Sequence, residues 1–367
     1  MDFKLSENTT MIADTARRYL KDNYSFDIYR SQLQEADHLH AARWQAMLEL
    51  GWFGLPFPES CGGYGGNLVD VAAIVRETGA ALCLDPFVDL VVSPGKLLEY
   101  INTSESLAIL EDVIAGQARV ACGLYDRYAG YQVTKPSLRL NGYRLSGQKH
   151  VVPDGGCAKR ILVSAMAGDE LLILALPVEQ CQIERYRLLD GSRASSLMLD
   201  DLEITDAMIL CRGEVARQAL SGWFDYMCAL DCARMYGAAS QVFDDTLEYA
   251  RTRKQFGTAI GSFQVIQHYL VDMFIDLQQL ESMLLMVLVK AESETVSERV
   301  RATAAAKAYY ASQAVRIAQQ GIQIHGGVGV TEELNIGHYF RLITHCSLSH
   351  GSRDHHVSRF IEADAAV

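Results

Sequence analysis

The chain has 367 residues, 49% of them hydrophobic and 21% charged, with a formal net charge of −12 at pH 7. That length supports two or three domains around a large core. The acidic balance argues against nucleic acid as a partner, although a few local arginines can still bind a small anionic ligand.

No apolar run reaches membrane-spanning length. The N-terminus, Met1-Asp2-Phe3-Lys4-Leu5-Ser6-Glu7, lacks the basic-then-apolar pattern of a signal peptide. Nine cysteines, an odd number without a Cys-x-x-Cys pair, read as free thiols in a reducing cytoplasm. We therefore expect a cytoplasmic protein that does not engage a membrane.

Residues 1–115 read as an α-helical domain. Thr10 to Leu20 carries apolar positions at helical spacing. A glycine- and proline-rich loop, Gly51 to Gly66, follows the segment Trp44 to Leu50, and Leu68 to Ala81 is helical again. Residues 116–213 change pattern. Val120 to Leu124, Tyr143 to Gly147, Arg160 to Ala165, Leu171 to Leu176 and Ser196 to Leu199 are short apolar runs. Asn141-Gly142 marks a hairpin turn and Asp154-Gly155-Gly156 another loop. This predicts a small β-barrel-like domain. Residues 214–367 contain no proline, because the last of the seven is Pro177. That permits long helices over Ala216–Tyr249, Phe263–Ala291 and Glu298–Gln320, each long enough to cross a bundle.

Two segments of this last domain carry chemistry. Arg253-Lys254-Gln255-Phe256-Gly257, followed by Ile260 and Gln264, sets a guanidinium and amides beside an aromatic ring. Gln323-Ile324-His325-Gly326-Gly327-Val328-Gly329 offers bare backbone that lets an anion approach. Taken alone, the first is also a polar helix end with Ser262 capping the next helix, and the second a turn with a structural His325.

In this order and spacing the two segments resemble the flavin-binding segments of the acyl-CoA dehydrogenase family, and the helix–strand–helix sequence resembles that family over essentially the whole chain. The resemblance implies an α+β fold with an N-terminal helical domain, a middle β domain and a C-terminal four-helix bundle. It implies FAD as cofactor, an acyl-CoA as substrate and an electron-transfer flavoprotein or similar acceptor. It assigns Arg253 to the flavin pyrophosphate, places Gln255, Phe256, Ile260 and Gln264 along the same site, and places Gln323, Gly326 and Gly327 by the adenosine half.

The chain departs from that pattern where the family keeps its carboxylate base. Aligning Arg341 and Gly351 puts His350 at one usual position. Aligning Tyr249 and Gly237 puts Arg234, or in another subgroup Met227, at the other. Asp231, one turn before Arg234, is the nearby acid. No catalytic residue is therefore assigned, and His350 or Asp231 is kept as a substitute base. His355-His356 with Asp354 does not suggest a metal site, since adjacent side chains diverge on a helix. In the β domain, Ala121 to Arg127 replaces the family's Thr-bearing strand, and His150-Val151-Val152-Pro153-Asp154-Gly155 replaces its Trp-Ile-Thr. The Val-Pro-Asp form is similar to relatives acting on bulky, steroid-derived CoA esters.

In dimers of the resembled family the Arg and Gln/Gly segments are lent to a neighbouring subunit, while the base and β domain serve the chain's own flavin. This chain keeps what it would lend and lacks what its own site would need. The expectation is one subunit of an α2β2 heterotetramer whose homologous partner carries the catalytic Glu. A homomeric flavoenzyme with altered chemistry and a flavin-free scaffold or binding protein are the alternatives.

Overall fold

The structure is a computed structural model describing residues 6–35, 39–127, 130–293 and 295–365. The chain falls into two compact units. One comprises residues 6–34, 68–83 and 225–365; the other comprises residues from 35–67 and 84–224.

The first unit holds α1 (Glu7–Asn23), α2 (Phe26–Gln34) and, passing over α3 (Ala41–Glu49) of the other unit, α4 (Leu68–Ala80). Ser6 caps α1 by accepting from the Thr9 amide. The Thr9 hydroxyl donates to Asp70 at 2.6 Å, and Arg17 pairs with Glu77 at 2.8 Å, so two polar links fix α1 on α4.

The second unit holds α3, α5 (Ser93–Ile101), α6 (Ser104–Ile114) and a mixed sheet. Its strands are β1 (Val120–Gly123), β2 (Arg139–Asn141), β3 (Arg144–Pro153), β4 (Arg160–Ala167), β5 (Glu170–Pro177), β6 (Gln182–Arg187), β7 (Arg193–Glu203) and β8 (Ile209–Arg212). The order is β6-β7-β3-β2-β4-β5-β8, with β1 paired parallel to β4. The apolar runs of β4 and β5 are buried along most of their length, as expected for strands covered on both faces. The Asn141-Gly142 turn joins β2 to β3, with Gly142 at φ +60°. β2, β6 and β8 were not anticipated. β6 is polar, with a mostly exposed pattern, and the other two are only three and four residues long.

The long helices are α7 (Gly213–Thr252), α8 (Gln264–Lys290) and α9 (Val296–His325), followed by α10 (Ile336–Leu348) and α11 (Arg353–Ala365). All except the first turns of α7 belong to the first unit. From Tyr226 to Ala239 nearly every α7 residue is buried, the pattern of a helix enclosed by its neighbours. α9 buries a stripe through Ala306, Tyr310, Ala314, Ile317, Gly321 and Ile324 at three- and four-residue spacing. α4 and α7 touch backbone to backbone at two glycines. A Cβ on Gly237 would lie 1.8 Å from the Arg76 carbonyl oxygen, and one on Gly79 would lie 2.2 Å from that of Arg234. No helix among the described residues is long and apolar enough to cross a membrane.

Candidate functional site

The Arg-Lys-Gln-Phe-Gly segment is a β-hairpin, where the sequence suggested only a helix end and a loop. β9 (Lys254–Gln255) pairs with β10 (Thr258–Ala259), leaving Phe256 and Gly257 as a two-residue turn at φ +52° and +83°. Positive φ at both positions is the type I′ geometry that suits hairpin twist. Glycine adopts it freely, whereas Phe256 does so at a cost on the order of 1 kcal/mol. Phe256 is 94% exposed, and its ring meets only the edge of Phe263 among the described ring pairs, at 6.2 Å. Arg253, Lys254 and Gln255 are exposed as well, and Gln264 is exposed at the start of α8. Ile260 is buried and anchors the hairpin base, its amide donating to the Arg253 carbonyl at 2.9 Å.

The Gln323–Gly329 segment forms the last turn of α9 and a 3-10 turn beyond it. The two motifs meet because Tyr249, one turn before Arg253, stacks on His325 at 4.3 Å and 25°. The His325 ring lies 2.8 Å from the Gly321 carbonyl through Nδ1, and burial pushes its pKa down. His325 therefore joins the ends of α7 and α9. Around it Gln323, Gly326 and Gly327 are exposed, and a Cβ built on either glycine meets nothing within 4 Å. The stack brings together two segments whose exposed groups are a guanidinium, three amide side chains and open glycine backbone. That chemistry suits a phosphate-bearing ligand.

His350 and Asp231, separate candidates in the sequence, form a single cluster. His350 sits between α10 and α11 at φ +50°, followed by Gly351 at φ +116°. Its Nδ1 is 2.9 Å from Asp231 Oδ2, and the same oxygen is 2.8 Å from Lys307 Nζ. Lys307, fully buried on α9, also donates to the carbonyls of Cys346 and Ser349. Burial opposes charge on Asp231, but Lys307 and His350 outweigh it and hold the carboxyl at about 2. Burial likewise opposes charge on Lys307, and Asp231 reverses that and raises its pKa. Asp231 is thus a locked carboxylate, a poor proton acceptor in its own right. The His350 carbonyl accepts from His356 Nε2 at 2.8 Å and from the Cys228 thiol at 3.6 Å. Burial lowers the His356 pKa to about 3, which keeps that ring neutral.

Arg234 lies on α7 with Nη2 donating to the Cys83 carbonyl at 3.3 Å, and Met227 is buried. In the β domain, Val151 interrupts the β3–β7 ladder at φ +49°, and its amide donates to the Tyr186 hydroxyl at 2.9 Å. Lys149, fully buried, pairs with Asp126 at 3.1 Å, and burial brings its pKa down to about 8. His355 and His356 are neighbours with rings 5.3 Å apart, and no group of three metal-ligating side chains occurs among the described residues.

No sequence signal marked Lys307, Cys228 or His356 as partners of His350. Lys307 is one cation within an alanine-rich run, and only its burial marks it. Cys228 and Asp231 are one turn apart on α7, a spacing that could have placed both on one face.

Residues 6–93 match the acyl-CoA dehydrogenase N-terminal domain and residues 216–363 the acyl-CoA dehydrogenase C-terminal domain. The chain belongs to the acyl-CoA dehydrogenase family and has its fold, with an N-terminal helical domain, a central sheet domain and a C-terminal helical bundle. It is similar to the probable acyl-CoA dehydrogenase YngJ of Bacillus subtilis, 27% identical over 369 residues and covering 93% of each chain. Among solved structures it resembles a variant of the Tcur3481–Tcur3483 steroid ACAD, with TM-score 0.88, 25% identity and 98% of each chain covered. It also shares its fold with the ChsE4–ChsE5 complex of Mycobacterium tuberculosis, with TM-score 0.90, 21% identity and full coverage of both chains.

Proposed function

We propose that this chain is one subunit of an FAD-dependent acyl-CoA dehydrogenase that introduces an α,β double bond into a bulky, steroid-derived acyl-CoA. In this reading it lends Arg253, Gln255, Phe256, Gln323, Gly326 and Gly327 to a flavin shared with a homologous partner. That partner carries the catalytic carboxylate and completes an α2β2 heterotetramer. Functionally the chain divides near residues 115 and 213.

The observation that carries this is the hairpin. A phenylalanine that is 94% exposed at positive φ is costly on a free surface, and the polar ligand-binding groups around it face outward. The same chain has His350 and Arg234 where a carboxylate base would stand. Val265, Val271, Phe274 and Ile275 of α8 are also about half exposed, a further apolar area for a second subunit to cover. The Tcur3481–Tcur3483 and ChsE4–ChsE5 likenesses support the two-chain reading and, for the former, the steroid class. Bound FAD would supply the acceptor for the hydride, with an electron-transfer flavoprotein or similar protein as the electron acceptor.

The test is co-expression with a relative encoded beside this chain that bears Glu at the position matching His350 or Arg234. The product is scanned for flavin absorbance and assayed for desaturation. Flavin and turnover only in the pair support the proposal; a flavin-free, inactive pair rejects it. A second reading, a homomeric flavoenzyme, is favoured by the Asp231–His350 hydrogen bond, which gives the chain a positioned imidazole of its own.

A further inference from the structure

Lys307, Asp231 and His350 run in series from the core toward the surface. Their side chains are 0%, 11% and 14% exposed. One carboxylate oxygen, Asp231 Oδ2, faces both Lys307 Nζ and His350 Nδ1. An ionised carboxylate only accepts hydrogen bonds, so the nitrogen facing it must carry a proton. Lys307 has three donors, directed at Asp231 and at the carbonyls of Cys346 and Ser349, and it is fixed by all three. The turn that carries His350 is held separately. His356 and Cys228 bind its carbonyl, and a Cβ on Gly351 would lie 2.5 Å from His356 Nε2, so the chain there must take a glycine. A link that only stitched α7 to α9 would be complete with Lys307 and Asp231. The added imidazole sits at a left-handed φ that a histidine adopts at a cost.

We propose that Asp231 is a positioning residue that keeps a proton on His350 Nδ1, so that a proton the ring gains or loses is carried by Nε2. A buried aspartate on the far nitrogen of an imidazole sets the tautomer in this way in hydrolase triads. The groups packed around the array are Cys228, Asp231 and Cys232 from α7, Lys307 from α9, Cys346 from α10, and His355, His356 and Arg359 from α11. Burial raises the Cys228 and Cys232 thiols, so both stay protonated and add no competing charge. That His350 meets a substrate rests on the homomeric reading above; the tautomer does not.

The experiment is nitrogen-15 NMR of the full chain with labelled histidine, the His350 signals being assigned by their loss in His350→Gln. The expected wild-type result, wherever the ring is neutral, is a proton on Nδ1 and none on Nε2. Asp231→Asn is expected to move most of the population to the other tautomer. It is also expected to slow modification of His350 by diethyl pyrocarbonate, read by peptide mass spectrometry, by about tenfold. Because Asp231→Asn leaves Lys307 buried without its carboxylate, the double variant Asp231→Asn with Lys307→Met is measured beside it and is expected to give the same tautomer change. Asp231→Glu should restore the wild-type pattern. A mixed tautomer in the wild type, or a pattern and modification rate unaltered in the folded double variant, overturns the proposal. Neither readout needs flavin or turnover, so failure here is separate from failure of the proposed function.

Discussion

At the scale of single residues, groups proposed to bind are distinct from groups that hold the fold. Arg253 is exposed and can make a charge-assisted contact worth about 1.5–3 kcal/mol. Arg253→Ala should weaken flavin binding in the assembled complex about tenfold or more. His350→Ala should weaken it less, and titrating flavin into both variants compares them. His356 makes a different prediction. Burial depresses its folded pKa to about 3 against 6.5 when unfolded, so between those values the unfolded chain binds one more proton. Its contribution is complete above pH 6.5 and is lost as pH falls toward 3, at about 1.4 kcal/mol per unit. His356→Gln should remove that slope, as measured by urea unfolding at a series of pH values; an unchanged slope would show that the ring already titrates freely.

At the scale of elements, the hairpin and the α4–α7 contact give opposite expectations. Phe256→Asn relieves the positive φ, so the isolated chain should unfold at equal or higher urea, by up to about 1 kcal/mol, while the complex retains less flavin. Lower stability together with unchanged flavin would contradict a binding role. Gly237→Ala drives a methyl into the Arg76 carbonyl and should cost about 2–3 kcal/mol, read from the shift in unfolding midpoint. The long helices were legible because the absence of proline persists over many turns: Ala216–Tyr249 was expected, and the helix runs Gly213–Thr252. Leu68 to Ala81 likewise ends one residue earlier, at Ala80. The β9–β10 hairpin was not legible. Its strands are two residues each, and its turn uses phenylalanine where asparagine or glycine would have announced it. The pairing of Asp231 with Lys307 was not legible, because the two lie 76 residues apart and no local pattern links them.

At the scale of the whole molecule, the proposed loss of the base is one of several differences from the family pattern. Val151 stands at positive φ in the segment that, in the proposed alignment, replaces Trp-Ile-Thr, and the loop after β1 carries Asp126 bound to Lys149. A carboxylate returned to one position should not by itself create a second working site, because a base contributes only when its reactants are already placed. His350→Glu would set a second acid beside Asp231, and Arg234→Glu would face the Cys83 carbonyl that the guanidinium now donates to. Neither variant should raise turnover in the complex.

The central claim is that this chain lends flavin contacts and does not complete a site alone. The most direct measurement is flavin per chain, by absorbance and protein concentration, for the chain purified alone and with its Glu-bearing partner. The account predicts little or no flavin alone and one flavin per pair in the complex. One flavin per chain in an active assembly of this chain alone would contradict it.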